Sequence, residues 1–284
     1  MDRRTVWKET IELCQKEPYA SVPESIRYVL PIEYTPSDEK HSSFRYHTAE
    51  NHIESSVIDV QMIPKYDCTE VEIVCQDTLN YALLLKRKGY HPVLLNMAND
   101  LKPGGIVENG GETQEEELFR RSNYFKTLDK KYYPLLSASG VYSPDVHVFR
   151  LGAEKQYKIL KIPQKMSMMA VAALRNPSCY SCTKRFKNTK DVLCTLQKID
   201  LMFRMAYQHG HDSLVLSAWG CGAFCNPPVE IAEWFRRTIW NYIGCFRRIS
   251  FAIFDRLPGV QGYNYGVFAK TLCPNGGIEK YVKE

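Results

Sequence analysis

The sequence predicts an α/β protein, a sheet with helices on both faces. Three observations predict it. Apolar, β-rich runs alternate with segments of helical period along most of the chain, as in an α/β sandwich. Two of these runs open directly into glycine-bearing loops. A third, Met166 to Ala173, is apolar without interruption, as a strand covered on both faces must be.

The chain has 284 residues, 44% of them apolar, enough for one large domain or two small ones. No run approaches the roughly 18 apolar residues of a membrane span. The start, Met1 to Glu9, lacks the apolar core of a signal peptide. The expectation is an intracellular protein, cytoplasmic or nuclear, monomeric, with no membrane partner and with its ten cysteines as thiols. A net charge of +5 suits an acidic ligand without specifying one. The short cluster Lys184 to Lys187 reads as a solvated loop.

Thr5 to Lys16 has the pattern of a helix, with Val6, Trp7, Ile11 and Leu13 on or near one face. Prolines at 18, 23, 31 and 36 then interrupt the chain, so residues 1–65 read as an extension packed on a main body of residues 66–284. His47, His52 and Asp59 in that extension lack metal-ligand spacing and read as surface polar residues. Val71 to Cys75 alternates and predicts a strand. A helix follows through Ala82 to Lys88 and closes at Gly89. Asp77 either caps that helix or, at the carboxyl end of a strand, faces a ligand. Val93 to Leu95 is the next strand and delivers the first glycine loop.

From Glu115 a helix is predicted to about Leu128, with Leu118, Phe119, Phe125 and Leu128 turned to the core. Ser143 to Asp145 reads as a turn before a strand ending at Phe149. Ile199 to His209 is helical in period, and Ser213 to Ser217 is a strand that opens into the second loop, Ala218 to Cys225. Asn226-Pro227-Pro228 then starts a helix, with Asn226 as cap and proline at the first helical position. Its positions Ile231, Trp234, Phe235, Ile239 and Tyr242 repeat at helical spacing, and Ile249 to Phe254 is the last core strand.

In open α/β sheets, ligands sit beyond the carboxyl ends of strands. Glycine loops leave backbone N–H groups unshielded, and a helix amino end nearby completes a phosphate cradle. Two such loops can hold a pyrophosphate from both sides. Glu115, Glu116 and Glu117 follow the first loop directly. They are either acids for proton transfer or an acidic helix start that favours the dipole. The one CxxC, Cys179 to Cys182, has Cys194 downstream but lacks the second pair that structural zinc usually takes, so no metal is expected. Cys221 has no histidine near it in sequence, and reads as packed or as offering its N–H to phosphate.

Asn96-Met97-Ala98-Asn99, with glycines shortly beyond, resembles the macrodomain pattern for ADP-ribose binding. Pro103-Gly104-Gly105, then Gln114-Glu115-Glu116 with Leu118, Arg120, Arg121 and Ser122, resembles the signature of microbial-type poly(ADP-ribose) glycohydrolases. The likeness continues through Ser143 to Arg150 and Gly210 to Phe224, and covers roughly residues 70 to 260. It implies a three-layer α/β/α macrodomain with a mixed sheet and an N-terminal, partly helical extension. It implies Glu116 as catalytic acid, Glu115 as the neighbour that holds ribose hydroxyls, and Gln114 as the residue that shapes the loop. Gly104, Gly105 and Ile106 match the first substrate-binding loop. Gly220, Cys221, Gly222, Ala223 and Phe224, led in by Ser217, match the loop that wraps the diphosphate. Phe224 matches the aromatic that positions the distal ribose, and the likeness implies that Asn99 lies near that ribose. The family writes three glycines in the first loop; this chain has Ile106 third, a side chain that disfavours positive φ and adds bulk beside a ligand.

Cleaving a ribosyl O-glycosidic bond requires a proton for the departing oxygen and stabilisation of an oxocarbenium-like centre. Glu116 is expected to supply the proton, retained with the help of Glu115, the diphosphate and exclusion of water. The expected partners are ADP-ribose or poly(ADP-ribose), on modified protein or nucleic acid, with no cofactor. Two alternatives stay open: a hydrolase of single ADP-ribose units, and a macrodomain that binds ADP-ribose without cutting it. Ile106 speaks for the second of these, and Glu115-Glu116 against it.

Overall fold

The computed structural model describes residues 2–30, 56–136, 138–181, 185–254 and 263–283. In chain order its main elements are α1 (Arg3–Leu13), β1 (Ile26–Val29), β2 (Ser56–Val57), β3 (Thr69–Val74), α2 (Thr78–Arg87), β4 (Pro92–Met97) and α3 (Gln114–Arg121). They continue with β5 (Ser139–Arg150), β6 (Ile159–Val171), α4 (Thr189–Gln208), β7 (Ser213–Leu216), α5 (Pro228–Asn241), β8 (Arg248–Ala252), α6 (Tyr263–Leu272) and β9 (Ile278–Tyr281). One nine-stranded sheet has the order β2-β1-β5-β6-β4-β7-β8-β3-β9. It is mixed: β6, β4, β7, β8 and β3 are parallel neighbours, while β5 and β9 run antiparallel to theirs.

Strand alternation divides the core into two layers. On β4, Val93 and Leu95 face a cluster with Ile199 and Phe203 of α4 and Phe235 of α5. Leu94 faces the other side, with Leu85 of α2, Phe119 of α3 and Trp7 of α1. This is the three-layer α/β/α arrangement, and it follows from a side-chain period of two on a sheet buried on both faces. Among the described residues, no helix is long and apolar enough to cross a membrane.

Three element boundaries differ from the sequence-based expectation. The residues before 66 pack on the body through both a strand and a helix. β1 pairs antiparallel with β5, Tyr28 opposite Gly140, while Trp7 of α1 lies against Phe119 and Phe125 at 6.2 and 5.0 Å between ring centroids. Pro31, Pro36, His47 and His52 lie outside the described residues, as do Cys182 and Lys184. The helix after the glutamates stops at Arg121, not near Leu128. Ser122 turns extended and bridges to Val148; Asn123 N–H donates to His147 O at 3.1 Å, and His147 N–H donates to Asn123 Oδ1 at 2.9 Å. Those bonds to β5 replace the ones a longer helix would have made.

Ser143 to Asp145 is not a turn before a strand but an irregularity inside β5, where the register against β6 shifts and Asp145 takes φ +48°. Finally, α4 begins ten residues before Ile199, with the Asn188 side chain accepting from Lys190 N–H at its amino end.

β4 and β7 are parallel neighbours, so the two glycine loops leave the sheet side by side. The carboxyl ends of β6, β8 and β3 open on the same edge. The cleft lies there.

Candidate active site

The cleft has a volume of about 1010 Å³, at the upper end of the range for ligand pockets. Its wall includes Asn99, Gly105, Ile106, Gln114, Glu115 and Glu116 from the first loop and α3. Ser217, Gly220, Gly222, Ala223 and Phe224 line it from the second loop. Two residues expected at the wall lie behind it. Gly104 is packed under the Phe119 ring, and Cys221 is set into the second loop, its Sγ 3.5 Å from Trp219 O. Burial pushes the Cys221 thiol well above its ordinary range, so it is no thiolate nucleophile.

The first loop is folded around Glu116. That residue is the fourth member of a capping box begun by Thr113. Its Oε2 accepts from Thr113 N–H at 2.6 Å and from the Thr113 hydroxyl, and its Oε1 accepts from Ile106 N–H at 3.1 Å. Glu116 is thus both the helix start that sequence allows and a carboxyl facing the cleft. Gly105 has φ +53°, and a Cβ on it would stand 2.5 Å from Glu116 Oε1. The loop needs glycine at that point because the acid occupies the space.

Ile106 adopts φ −117°, so the isoleucine requires no left-handed backbone. The positive φ angles fall on Gly104 and Gly105 instead. The bulk of Ile106 is exposed at the rim, and its N–H still reaches Glu116.

Gln114 pins the start of α3 to the end of β4. Its Oε1 accepts from Met97 N–H at 2.7 Å, and its Nε2 donates to Leu95 O at 2.6 Å and to Thr78 Oγ1 at 3.0 Å. Glu115 points inward from that fixed start. Its Oε2 accepts from Asn99 N–H at 2.9 Å and its Oε1 from Asn96 Nδ2 at 3.2 Å. Burial is the main cause that pushes its carboxyl up to about 7; Glu116's charge adds, while hydrogen bonds from Asn99, Asn96 and Gly104 oppose. Asn99 Oδ1 accepts from Leu101 and Lys102 N–H, which turns the chain away from β4.

The third glutamate also lines the cleft, but its carboxylate is taken by two side chains. Glu117 accepts from Arg120 Nη1 at 2.9 Å and from Tyr157 Oη at 2.5 Å. Asp77 caps α2, accepting from Asn80 N–H at 2.8 Å, and pairs with Arg121 at 2.8 Å.

In the second loop, Asn226 is not the helix cap. Pro227 holds that position, and the Asn226 Nδ2 instead donates to Leu174 O at 2.7 Å, Gly220 O at 3.1 Å and Phe224 O at 3.2 Å. The buried carboxamide closes the loop from below. Gly220, at φ +75°, must be glycine there, since a Cβ would meet Ala173 Cβ at 2.6 Å. Trp219 is fully buried and donates from Nε1 to Val171 O at 2.9 Å, anchoring the loop to the end of β6. Sequence reasoning missed Arg175, whose guanidinium lies 4.2 Å over the Phe224 ring. Its place just past a buried strand, at the carboxyl end, is the signal that could have found it.

A family model for the catalytic domain of microbial-type PARG, poly(ADP-ribose) glycohydrolase, matches residues 8–151. That is half of the chain, and it includes the whole first loop and α3.

The chain belongs to the microbial-type PARG family.

It is accordingly an enzyme of the glycosidase class. Solved structures extend the likeness past the matched residues. PARG from Deinococcus radiodurans in complex with ADP-ribose is 26% identical, with a TM-score of 0.63 over 74% of this chain and 86% of that one. PARG from Thermomonospora curvata shares the fold at 24% identity, with a TM-score of 0.69 over 95% of this chain and 98% of that one. The same protein bound to the inhibitor ADP-HPD has a TM-score of 0.68 at 24% identity, over 94% and 98%. No curated protein sequence matches this chain.

In this PARG-family chain, the environment of Glu115 has a cost that can be measured. An acid whose folded value is raised favours folding most below its unfolded value, 4.5 for this carboxyl, and that contribution is lost as pH rises through about 7. Glu115→Gln removes the titration. It is expected to gain on the wild type by up to about 3 kcal/mol between pH 4.5 and pH 7.5, at ~1.4 kcal/mol per pKa unit. Urea unfolding of both proteins at the two pH values reads the difference. A gap that does not widen with pH contradicts it.

Proposed function

We propose that this chain hydrolyses the ribosyl O-glycosidic bond of poly(ADP-ribose) and releases ADP-ribose, with Glu116 as general acid and no metal. One observation carries the assignment. Glu116 is held at the cleft wall by Thr113 and Ile106, beside a second buried carboxyl, with the second glycine loop forming another part of the same wall. Family membership supports the reaction class, and the complex of the similar Deinococcus radiodurans enzyme with ADP-ribose supports the ligand.

The diphosphate of the terminal unit lies along the second loop, where Gly222 and Ala223 are exposed and place no large side chain before the backbone. Phe224 packs on the distal ribose and Asn99 lies near it. Glu116 delivers a proton to the departing oxygen, with the buried Glu115 carboxyl beside it. The fixed diphosphate lends negative charge toward the developing ribosyl cation. Water then adds to the ribosyl carbon, and the proton it releases returns to the Glu116 carboxylate. The oxygens of both acids already accept from N–H or O–H donors, and among the described residues no cluster of three or more His, Cys, Asp or Glu could hold a metal ion.

Incubation with poly(ADP-ribose), with mono-ADP-ribosylated protein and with mono-ADP-ribosylated nucleic acid, each with and without chelator, tests the proposal. Polymer should yield free ADP-ribose at the same rate in both conditions. Release from the mono-modified substrates alone would make the chain a mono-ADP-ribosyl hydrolase. If ADP-ribose raises the Tm by mass action while every substrate stays intact, the chain is a binding module and the catalytic reading is lost.

A further inference from the structure

Three consecutive residues beyond β6, Leu174-Arg175-Asn176, hold the second loop. Leu174 O accepts from Asn226 Nδ2 at 2.7 Å, and Asn176 N–H donates to Phe224 O at 2.9 Å. Asn176 does this at φ +47°, a left-handed conformation that asparagine tolerates better than most residues. Between these two backbone attachments, the Arg175 side chain spreads over the Phe224 ring, 4.2 Å from its centroid.

Arg175 also reaches the first loop. Its Nε lies 3.2 Å from both Asp100 carboxylate oxygens, and its Nη2 donates to Oδ1. Asp100 directly follows Asn99. It is 7% exposed, and its backbone oxygen accepts from Leu135 N–H at 2.7 Å. An exposed ion pair would contribute little. Here the Arg175 side chain is 41% exposed, so its charge is partly screened, but the Asp100 side chain is only 11% exposed and the fork is two-pronged, which fixes direction as well as distance. One guanidinium therefore touches both loops: a carboxylate beside Asn99 and the ring of Phe224.

We propose that Arg175 is a positioning residue that registers the second loop against the first, and so sets where Phe224 stands relative to Asn99. The inference rests on the reading of this cleft as the ADP-ribose site. Asn99 and Phe224 come from different strands and must grip one sugar from two sides. Cation–π contact and the bidentate pair together resist both sliding and opening of that gap. Lysine could keep the charge but not the fork or the stacking.

Hydrogen exchange on the ligand-free protein and kinetics on poly(ADP-ribose) test it together. In Arg175→Ala, amides of residues 219–226 should exchange about tenfold faster, with β4 and β7 protected as in the wild type. The kcat/KM should fall roughly tenfold, as expected for a lost contact of this strength, and Arg175→Lys should recover only part of it. Because Arg175 acts through Phe224, Arg175→Ala added to Phe224→Ala should cost little more than Phe224→Ala alone. Likewise Asp100→Asn should add nothing to Arg175→Ala. Unchanged exchange in the loop, or losses that multiply between Arg175 and Phe224, would overturn the proposal. So would a fall in Tm with kcat/KM intact, which describes a merely structural pair. Should the wild type fail to cleave polymer, the proposed function fails, and the exchange rates still decide whether Arg175 holds the loop.

Discussion

Glu116→Gln is expected to lower kcat on poly(ADP-ribose) by about 10²–10⁴-fold, the usual contribution of a positioned general acid, while ADP-ribose still binds. Glutamine keeps the size of the side chain and one acceptor oxygen, but it cannot give up a proton to the departing ribosyl oxygen. The same change also disturbs the capping box. The acid accepts from Thr113 N–H and from Ile106 N–H on different oxygens, so the new amide nitrogen must face one of these donors. Part of any loss could therefore come from a shifted loop. Thr113→Val separates the two causes, because it removes the hydroxyl that Glu116 accepts from and leaves the carboxyl in place. Loss of the cap hydroxyl costs about 1 kcal/mol of stability, and a modest fraction of activity is the expected accompaniment. Steady-state kinetics and ADP-ribose calorimetry on both variants measure the split. Wild-type turnover by Glu116→Gln would remove the residue from the acid role; equal losses in the two variants would reduce it to a structural one.

Gly105→Ala is expected to reduce kcat/KM by roughly 10²-fold, because displacement of a reacting group by about 1 Å has that order of effect. The new Cβ would stand 2.5 Å from Glu116 Oε1, well inside contact distance. The obstructing atom is the end of a flexible side chain, so the acid can swing away. Activity, more than stability, should record the change. Holding alanine at φ +53° adds a backbone cost of about 1–2 kcal/mol. Ile106→Gly is the contrasting control. Ile106 already has a negative φ, and its side chain is exposed, so restoring the family's third glycine should change kcat/KM far less than alanine at 105. If alanine at 105 leaves turnover intact, Glu116 does not act from its observed position.

Much of the architecture was legible because its signals are local. The alternation along β3, the Asp77 cap, and Gly89 after α2 each report a conformation that neighbouring residues enforce. The acidic start of α3 and the glycine loop before it were legible for the same reason. Helix ends decided by partners far along the chain were not. Ser122 leaves the helix because β5 offers it a bridge at Val148, and Asn226 passes over the cap position because three carbonyls from two segments converge on its amide. Asn226 is the sharper case: its sequence context, before two prolines, favours capping, and the tertiary fold uses its donors elsewhere.

The sequence by itself determined the α/β class, the two loops and the pair of acids, since strand and helix periods and a matched family motif all lie within short stretches. Only the tertiary structure decided that burial pushes the Glu115 carboxyl up to about 7, that Ile106 fits the loop with a negative φ, and that Arg175 joins Asp100 to Phe224. Burial, and contacts between residues 75 or 49 positions apart, depend on how strands order themselves in the sheet. That order is set by packing across the whole core, which no short stretch encodes.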